Sequence, residues 1–370
     1  MSKVLVTGGA GFIGSFVVDE LIKRKHSVRI IDNLEPQVHL GKVPEYLNSK
    51  AEFIKADVNS CDDLKNAIKD IDVVFHQAAM VGIGQSMYQV NRYVHANTSG
   101  TAALLDILAN GNHDVKKLVV ASSMSTYGEG SYKCEKCGII EPKIRTEKQM
   151  ANQDWELHCP SCNSTAFPIP TKESKLQDIN SIYALTKKDQ EQMCLMIGKS
   201  YGIPTVALRY FNVYGPRQSL SNPYTGVAAI FMSRIKNNKS PIVYEDGMQT
   251  RDFVSVHDIA EANLLAMEKS SADDEVFNIG TQHPVAIKHV AEVLAKLYGK
   301  DIKPEITCKF RKGDVRHCFS DISKIKSKLG FKPKIAFEQG MQELIEWSRH
   351  QEAIDKFDKA TQELKTHGLF

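Results

Sequence analysis

Three glycines near the N-terminus, Gly8, Gly11 and Gly14, constrain the fold of this chain more than any other feature. They lie in Thr7-Gly-Gly-Ala-Gly-Phe-Ile-Gly14, which follows the apolar run 4–6 and precedes a helical pattern. Glycine permits the positive φ of a tight turn and lets the backbone approach a pyrophosphate, while the helix N-terminus stabilises negative charge. The order of strand, glycine turn and helix predicts a dinucleotide-binding site. The residues of this segment expected to contact the dinucleotide are Gly8, Gly11, Phe12, Ile13 and Gly14.

Short apolar runs alternate with helical patterns through the first third of the chain. A helical segment, 11–25, follows the first run, and further apolar runs lie at 28–31, 52–54, 73–75 and 117–121. Strands that alternate with helices form parallel sheets that are covered on both faces and connected by right-handed crossovers. The predicted fold class is therefore α/β, with a Rossmann-like doubly wound parallel sheet.

An acidic residue ends the second predicted strand. Asp32 follows Gly14 by eighteen residues, which is close to the spacing at which a carboxylate meets the ribose of a bound dinucleotide. A carboxylate there accepts hydrogen bonds from both ribose hydroxyls and repels a 2′-phosphate. The sequence therefore predicts NAD(H) rather than NADP(H). The alternative interpretation of Asp32 is a turn residue ahead of Asn33.

Tyr183 and Lys187 are four residues apart and so share one face of a predicted helix. A free phenol, with a pKa of about 10, is a poor base at neutral pH. A nearby ammonium and the positive nicotinamide of NAD⁺ would favour the phenolate, and lowering the pKa by ~3 would correspond to roughly 4 kcal/mol. The alternative is an ordinary surface pair. Ser123, at the end of the fifth predicted strand, is the candidate to hydrogen-bond the reacting oxygen, and Ser125 is a candidate to assist it.

Four of the eight cysteines form two pairs with the spacing of metal ligands, Cys134-Glu-Lys-Cys137 and Cys159-Pro-Ser-Cys162. Paired thiolates of this spacing suit a structural, tetrahedral Zn²⁺. The pairs lie in the polar segment 128–175, which lacks a sustained helical or strand period and is predicted to be an insertion. Four thiolates would fill the metal site and leave no position for catalysis, and His158 is predicted to be a bystander.

Length and charge bound the remaining possibilities. A chain of 370 residues is long for one core, and a net charge of +3 gives no argument for binding nucleic acid or an anionic membrane. No apolar run approaches the length of a membrane span, and the N-terminus shows no signal-peptide pattern, so we expect a cytoplasmic protein. Later patterns predict strands at 205–209, 242–244, 252–256 and 276–279 and a helix at about 227–237. They also predict two amphipathic helices near the end, one of them from 337 to about 357.

The motifs together resemble those of the extended short-chain dehydrogenase/reductase family, in its nucleotide-sugar epimerase/dehydratase branch. The resemblance covers nearly the whole chain, with 128–175 as an insertion, and rests on these segments: 7–14, 32–34, 57–58, 76–79, 97–101, 122–123, 183–187, 209–216, 251–258 and 311–314. It implies an NAD-binding domain over 1–214. It also implies a smaller α+β domain over 215–370 that binds mainly substrate, with about 252–265 returning to the first domain. A homodimer is expected on the same grounds.

The resemblance also implies a role for each matched position. The expected NAD contacts are Gly8, Gly11, Phe12, Ile13, Gly14, Asp32, Asn33, Asp57, Val58, Gln77, Ala78, Ala79, Asn97, Tyr183, Lys187, Tyr210 and Phe211. The expected contacts of a nucleotide-diphosphate sugar are Gly84, Ser86, Ser123, Ser125, Tyr183, Asn212, Tyr244, Arg251, Arg311, Asp314 and Cys318. Catalysis is assigned to Ser123, Tyr183 and Lys187. From spacing alone, Arg251 and Arg311 fit structural ion pairs equally well.

Two positions after Ser123 favour one reaction within this branch. Sugar 4,6-dehydratases carry an Asp-Glu pair there to eliminate water, whereas this chain has Met124 and Ser125. The resemblance therefore implies a 4-epimerase that oxidises the sugar transiently and recycles a tightly bound NAD. Alternatives are a nucleotide-sugar 4-dehydrogenase and a zinc-ribbon interaction protein that binds NAD without catalysis.

Substrate choice stays open between two types of 4-epimerase. Cys318 stands where enzymes that exclude N-acetyl groups carry a bulky tyrosine, which favours UDP-glucose/galactose or UDP-N-acetylglucosamine/galactosamine. By contrast, segments 81–88 and 221–226 and the ribbon resemble dTDP-L-rhamnose 4-epimerases that bear a zinc ribbon. Val81 replaces a lysine that UDP-galactose 4-epimerases usually have near the nicotinamide.

Overall fold

Sixteen strands are present in the computed structural model, which describes residues 1–369. They are β1 (Lys3–Thr7), β2 (Ser27–Asp32), β3 (Glu52–Lys55), β4 (Val73–His76), β5 (Lys117–Ser123), β6 (Ser131–Cys134), β7 (Gly138–Ile140), β8 (Phe167–Ile169), β9 (Thr205–Tyr210), β10 (Asn212–Tyr214), β11 (Ile242–Val243), β12 (Thr250–Ser255), β13 (Val276–Ile279), β14 (Pro284–Ala286), β15 (Glu305–Ile306) and β16 (His317–Cys318).

Fourteen α-helices accompany these strands in the described chain. They are α1 (Phe12–Lys23), α2 (Pro36–His39), α3 (Cys61–Ala67), α4 (Ile83–Ser86), α5 (Val90–Tyr93), α6 (Gly100–Asn110), α7 (Glu147–Ala151), α8 (Ile182–Tyr201), α9 (Val227–Lys236), α10 (Val256–Glu268), α11 (Ile287–Tyr298), α12 (Ser323–Leu329), α13 (Phe337–Arg349) and α14 (Phe357–Thr366). Single turns of π-helix (Val94–Ser99) and of 3₁₀-helix (Met124–Tyr127 and Ser270–Ala272) complete the regular structure. Within residues 1–369, no helix is long and apolar enough to cross a membrane.

A seven-stranded parallel sheet in the order β13-β9-β5-β4-β1-β2-β3 confirms the predicted α/β class. Alternate side chains of each strand enter different cores. Val4 and Val6 pack with residues of α1 and α10, whereas Leu5 packs with residues of α3 and α6 on the opposite face. Successive side chains of a strand point to opposite faces of the sheet, and both faces are covered by helices. Both sets of side chains are therefore apolar, which explains the continuous apolar runs in the sequence.

The C-terminal part of the chain builds a second core from α9, α11 and α13. Beside it, β12 pairs with β10, β14 and β16 rather than with the central sheet, while α10, which follows β12, packs against α1. The helix predicted over 337–357 is wrong in its length, because α13 ends at Arg349 and a separate α14 begins at Phe357. The segment between them is held by other contacts: Asp355 pairs with Lys239 (3.0 Å), and Ile354 N donates to Ser221 Oγ (3.0 Å).

The insertion at 128–175 contains regular structure that its sequence pattern did not indicate. Strands β6, β7 and β8 form an antiparallel sheet, but each has only three or four residues, too few to show a period. This sheet is joined to the main body by backbone hydrogen bonds, including Gly130 N to His317 O (2.9 Å) and Thr171 N to Phe319 O (2.8 Å). The insertion therefore packs directly against the segment around β16.

A buried ion pair ties helix α8 to the central sheet. Arg209 on β9 donates from Nη2 and Nε to the two carboxylate oxygens of Glu191 on α8, at 2.6 and 2.9 Å. Ser122 on β5 donates to the same carboxylate at 2.6 Å. Both charged side chains are nearly inaccessible, with exposed fractions of 6% for Arg209 and 0% for Glu191. The pair fixes the rotation of the helix that carries Tyr183 and Lys187.

We expect Glu191→Gln to lower the free energy of unfolding by about 3–5 kcal/mol, because it leaves a buried guanidinium without its counter-charge. Denaturant titration or the midpoint of thermal unfolding measures the loss. Glu20→Gln is the matched control, since its pair with Lys23 is exposed and should contribute about 0–1 kcal/mol. Equal stabilities of the two variants would contradict the structural role assigned to the buried pair.

Candidate active site

A cavity of about 1120 Å³ opens at the carboxyl ends of the central strands and extends to the C-terminal core. Ligands bind at this edge in open parallel sheets, because the strand order reverses there and leaves a crevice. The residues that the sequence predicted and that line the cavity are Gly8, Gly11, Phe12, Ile13, Gly14, Asp32, Asn33, Asp57, Val58, Gln77, Ala78, Ala79, Gly84, Ser123, Ser125, Tyr183, Lys187, Tyr210, Phe211, Asn212, Tyr244, Arg251, Arg311 and Asp314.

Three predicted contacts lie behind the cavity wall instead. Asn97 is fully buried and bonds the backbone of Met80 through both its amide oxygen (2.7 Å) and its amide nitrogen (3.1 Å). Ser86 Oγ accepts a hydrogen bond from the backbone N–H of Tyr183 at 3.0 Å. Cys318 packs with Tyr127 and Phe211 and is 1% exposed. These three side chains support residues of the wall rather than meeting a ligand in this conformation.

The glycine turn forms a cradle that no larger residue could line. Gly8 has a φ of +69°, and a Cβ atom there would lie 2.8 Å from the backbone nitrogen of Ala78. At Gly14 a Cβ atom would lie 2.2 Å from the carbonyl oxygen of Gly8. The turn leads into the N-terminus of α1, so its backbone offers N–H groups and a positive dipole end to an anionic ligand.

The carboxylate of Asp32 is aimed at this turn. It accepts hydrogen bonds from the backbone N–H groups of Ala10 (3.1 Å) and Leu34 (2.9 Å). Burial raises the pKa of Asp32, and these two bonds and the nearby His39 imidazole act against that shift. A fixed carboxylate at this edge of the cavity suits a ligand that presents hydroxyl groups and disfavours one that presents a phosphate.

Tyr183 and Ser123 are joined by a hydrogen bond where the cavity meets the end of β5. Burial raises the pKa of Tyr183 to about 12, and only the bond to Ser123 opposes this shift. Ser125 in turn donates to Ser123 Oγ at 2.9 Å. The pKa depression expected from sequence is therefore not produced by the protein groups alone, because burial outweighs them.

Lys187 belongs to a buried polar chain rather than pointing its ammonium directly at the phenol. Its Nζ donates to Gln190 Oε1 at 2.7 Å, and Gln190 bonds Thr101 (2.9 Å) and His76 (3.2 Å). Burial lowers the pKa of Lys187 to about 7 and that of His76 to about 3. The imidazole is thus neutral and anchors the chain, while the lysine titrates near neutral pH.

The predicted arginines make different contacts. Arg251 donates to the carbonyl oxygens of Val315 (2.5 Å) and Arg316 (3.1 Å), so it fixes the backbone that enters β16. Arg311 forms a two-pronged pair with Asp314 (2.9 and 3.2 Å) and lies 5.0 Å from the centre of the Tyr244 ring. Arg311, Asp314 and Tyr244 therefore form one cluster on the wall of the cavity contributed by the C-terminal part of the chain.

Four buried amide oxygens in the cavity wall have no partner within the described chain. They belong to Asn180, Asn212, Gln218 and Gln249. A buried acceptor without a partner costs about 1–3 kcal/mol, so such atoms in a cavity point to a ligand that donates hydrogen bonds. Of the four, only Asn212 was predicted from sequence.

The four paired cysteines meet at one point of the insertion. Their sulfur atoms all lie within 4.8 Å of one another, a spacing that thiolates around a tetrahedral ion adopt. The cluster could therefore hold a metal ion. His158 bonds Asp154 at 2.8 Å and is not part of the cluster, as its sequence context indicated.

Sequence reasoning missed several residues that shape the cavity. Gln190 and Glu191 were overlooked, although their polar side chains follow Lys187 on a helix face that packs against the sheet, which is a detectable signal. Arg145 and Glu245 form a buried pair at 2.8 Å between the insertion and the cavity wall. Nothing local to either residue indicates the other, since 100 positions separate them.

Comparison with known proteins identifies relatives over almost the whole chain. Residues 4–148 match the NAD dependent epimerase/dehydratase family, and residues 165–344 match the GDP-mannose 4,6 dehydratase family. The dTDP-L-rhamnose 4-epimerase of Burkholderia thailandensis is 35% identical over 352 residues, covering 93% of this chain and 94% of that enzyme.

Solved structures of sugar epimerases share the fold. The UDP-glucose 4-epimerase of Thermotoga maritima, solved with UDP-glucose, aligns with a TM-score of 0.76 and 33% identity over 94% of this chain and 98% of that one. The UDP-N-acetylglucosamine 4-epimerase of Methanobrevibacter ruminantium, in complex with UDP-N-acetylmuramic acid, gives a TM-score of 0.77 and 34% identity over 95% and 99%.

We expect Lys187 to make stability depend on pH. Its pKa is lowered from 10.5 to about 7 on folding, so between these values the unfolded chain binds a proton that the folded chain has released. Stability should therefore rise with pH across this window and show no such rise below it. Thermal midpoints of the wild type and of Lys187→Met, measured without added cofactor, should diverge in favour of the wild type toward alkaline pH.

Lys199→Met is the control for this measurement, because Lys199 is exposed on the same helix. Its midpoints should track those of the wild type at every pH. A Lys187→Met profile parallel to that of the wild type would show that the lysine is solvated in the folded protein.

Proposed function

The chain belongs to the NAD-dependent epimerase/dehydratase family, and we propose that it acts as a nucleotide-sugar 4-epimerase. The observation that carries the proposal is the hydrogen-bonded pair of Ser123 and Tyr183, placed in a cavity that extends from the glycine turn to the cluster around Arg311. One end of this cavity suits a dinucleotide and the other a second nucleotide. The pair lines the same cavity, where a sugar would be oxidised.

NAD is the cofactor that the N-terminal half of the cavity fits. Gly8, Gly11 and Gly14 would hold its pyrophosphate, since larger side chains would fill the cradle, and Asp32 would hold the adenosine ribose. When bound, NAD⁺ supplies the hydride acceptor and returns the same hydride, so that none is consumed. The carboxylate of Asp32 supports NAD over NADP, because it would repel a 2′-phosphate.

In the proposed reaction Tyr183 removes the proton of the sugar hydroxyl. Its phenol is neutral in the protein alone, and the hydrogen bond from Ser123 favours the phenolate. A positive charge brought close to the phenol would lower its pKa further, which is how binding of the cofactor would prepare the base. Lys187, with a pKa of about 7, can add a second positive charge near neutral pH.

Epimerisation fits this site better than dehydration. Met124 and Ser125 follow Ser123, so the acidic pair that elimination requires is missing from that turn, and Met124 packs with Tyr127 and Phe211. Rotation of the keto sugar before the hydride returns requires no further acid. The substrate we propose is a UDP-hexose or UDP-N-acetylhexosamine, with dTDP-L-rhamnose as the alternative supported by the Burkholderia relative. Cys318 does not decide between them, because it is buried behind Phe211.

The cysteine cluster is proposed to hold a structural zinc ion. Thiolates at this spacing would complete a tetrahedral coordination sphere, and the insertion has too small an apolar core to be stable alone. Through Arg145 the insertion bonds Glu245 and the carbonyl oxygen of Asp314 (3.2 Å), both in the cavity wall. Loss of zinc should therefore disturb the substrate half of the site.

We expect Tyr183→Phe to abolish inversion while NAD stays bound, because only the proton-transferring hydroxyl is removed. The assay incubates purified protein, without added NAD, with UDP-glucose, UDP-N-acetylglucosamine and dTDP-L-rhamnose, and follows the configuration at carbon 4 by proton NMR. Tyr201→Phe, an exposed tyrosine on the same helix, is the control. Retained turnover in Tyr183→Phe would refute the mechanism, and net NADH release by the wild type would favour a dehydrogenase.

Removal of one zinc ligand should lower both metal content and stability. Cys134→Ser is expected to reduce bound zinc from about one ion per chain, determined by atomic emission, and to lower the midpoint of thermal unfolding. Cys61→Ser provides the control, since Cys61 is exposed and outside the cluster. Undiminished zinc in the cluster variant, or a wild type free of zinc, would argue against the assignment.

A further inference from the structure

The C-terminal helix α14 forms part of the cavity wall. Phe357, Ala360, Thr361 and Leu364 all line the cavity, although they lie far along the chain from the glycine turn. Their spacing of three or four residues places them on one helix face. This face is directed at the proposed ligand site rather than at the C-terminal core.

The helix bridges the two sides of the cavity through one carboxylate. Glu363 Oε2 accepts hydrogen bonds from the hydroxyl of Tyr88 at 3.0 Å and from that of Tyr224 at 2.5 Å. The ring of His367 stacks on Tyr88, with centroids 4.4 Å apart. Tyr88 follows α4 in the N-terminal half of the chain, and Tyr224 lies in the loop before α9 in the C-terminal half. We call these contacts of Glu363 the latch.

Apart from the latch, α14 is held mainly by polar contacts, among them a pair between Asp358 and Arg234 of α9 at 3.1 Å. Only Ala360 and Leu364 among its ten residues are buried, and the connector 350–356, which contains no helix or strand, is largely exposed. Segments with few buried apolar contacts open at low free-energy cost. Neither large core contains a residue of α14, so the helix can leave the cavity by breaking the latch and these polar contacts, while Arg234 keeps Asp355 as a second partner at 3.5 Å.

The face of α14 contacts two residues of the proposed substrate site. Leu364 lies so close to Gly84 that a Cβ atom on that glycine would come within 3.0 Å of Leu364 Cδ2. Thr361 hydrogen-bonds the hydroxyl of Tyr244. Gly84 and Tyr244 are both predicted contacts of the nucleotide sugar, so the helix touches the predicted substrate site at two points.

We propose that α14 is a lid over the bound nucleotide sugar, held shut by the Glu363 latch, and that it retains the oxidised sugar until the hydride returns. This inference rests on the proposed function. During the reaction the sugar loses a hydride to the cofactor and a proton to Tyr183. If the keto sugar leaves at that point, one reduced cofactor stays behind for each molecule lost and the enzyme stops. A 4-epimerase therefore gains from a lid in a way that a dehydrogenase does not.

The test compares the wild type with Glu363→Ala and with a chain that ends at Lys356. UDP and dTDP serve as probes, and their dissociation rates are measured by stopped-flow displacement. Both variants should release the better-bound probe at least about tenfold faster, as expected for loss of a hydrogen bond to a charged group. Glu352→Ala, in the exposed connector, is the matched control and should release it at the wild-type rate.

Two further readouts separate a lid from a helix that only stabilises the fold. In the wild type, amide hydrogen exchange within 357–366 should slow when the probe is added. With a substrate that the wild type inverts, both variants should release 4-keto sugar into solution and accumulate an equal amount of reduced cofactor. Thermal midpoints and NAD content verify that each variant is folded. If the shortened chain does not fold, the comparison of Glu363→Ala with the wild type still tests the proposal.

The outcomes distinguish this proposal from the proposed function. Unchanged dissociation rates, together with unchanged exchange in α14 on addition of the probe, would overturn the lid even if the wild type inverts a sugar. Faster dissociation and probe-dependent exchange would support a lid over a nucleotide even if none of the three sugars is inverted. Failure of the wild type to bind either probe would overturn both proposals.

Discussion

The buried pair of Arg209 and Glu191 is the interaction on which the geometry of the site depends. It joins β9 to α8, and through Ser122 it also reaches β5, so one carboxylate fixes the three elements that meet at the proposed reaction centre. Ser123 ends β5, whereas Tyr183 and Lys187 lie on α8. Parallel strands set where a side chain emerges at the sheet edge, but they do not set the rotation of a covering helix. A buried charge pair sets the rotation of the helix, because any rotation would leave one charge unpaired in a medium of low dielectric constant.

The burial of Tyr183 and Lys187 holds both side chains in place but also opposes the formation of their charged forms. It raises the pKa of Tyr183 and lowers that of Lys187, so each group tends toward its neutral form. The phenol therefore remains a weak base until a positive charge is bound nearby. In the proposed mechanism this charge belongs to the oxidised cofactor, which links activation of the base to the one state in which a hydride can be accepted. Tyr183 is therefore a weak base whenever no oxidised cofactor is bound.

Local sequence features predicted the features of the fold that are themselves local. The glycine turn, Asp32 and the two cysteine pairs are each set by backbone conformation or by spacing within a few residues, and the apolar runs identified all seven strands of the central sheet. The orientation of single side chains could not be predicted in this way. Ser86, Asn97 and Cys318 occupy suitable positions along the chain, yet tertiary packing turns them behind the wall.

Features that depend on distant residues gave no signal in sequence. The helix predicted from 337 to about 357 is broken after Arg349, and the segment that follows is held by contacts with distant residues, such as the pair of Asp355 with Lys239, more than a hundred positions away. That break has a functional consequence. It separates α13, which is built into a core, from α14, which is not, and the exposed connector lets the second helix reach back over the cavity. Residues of the glycine turn and of α14 line the same cavity although they lie far apart along the chain. Binding of a nucleotide sugar should therefore stabilise the cofactor half and the C-terminal helix together.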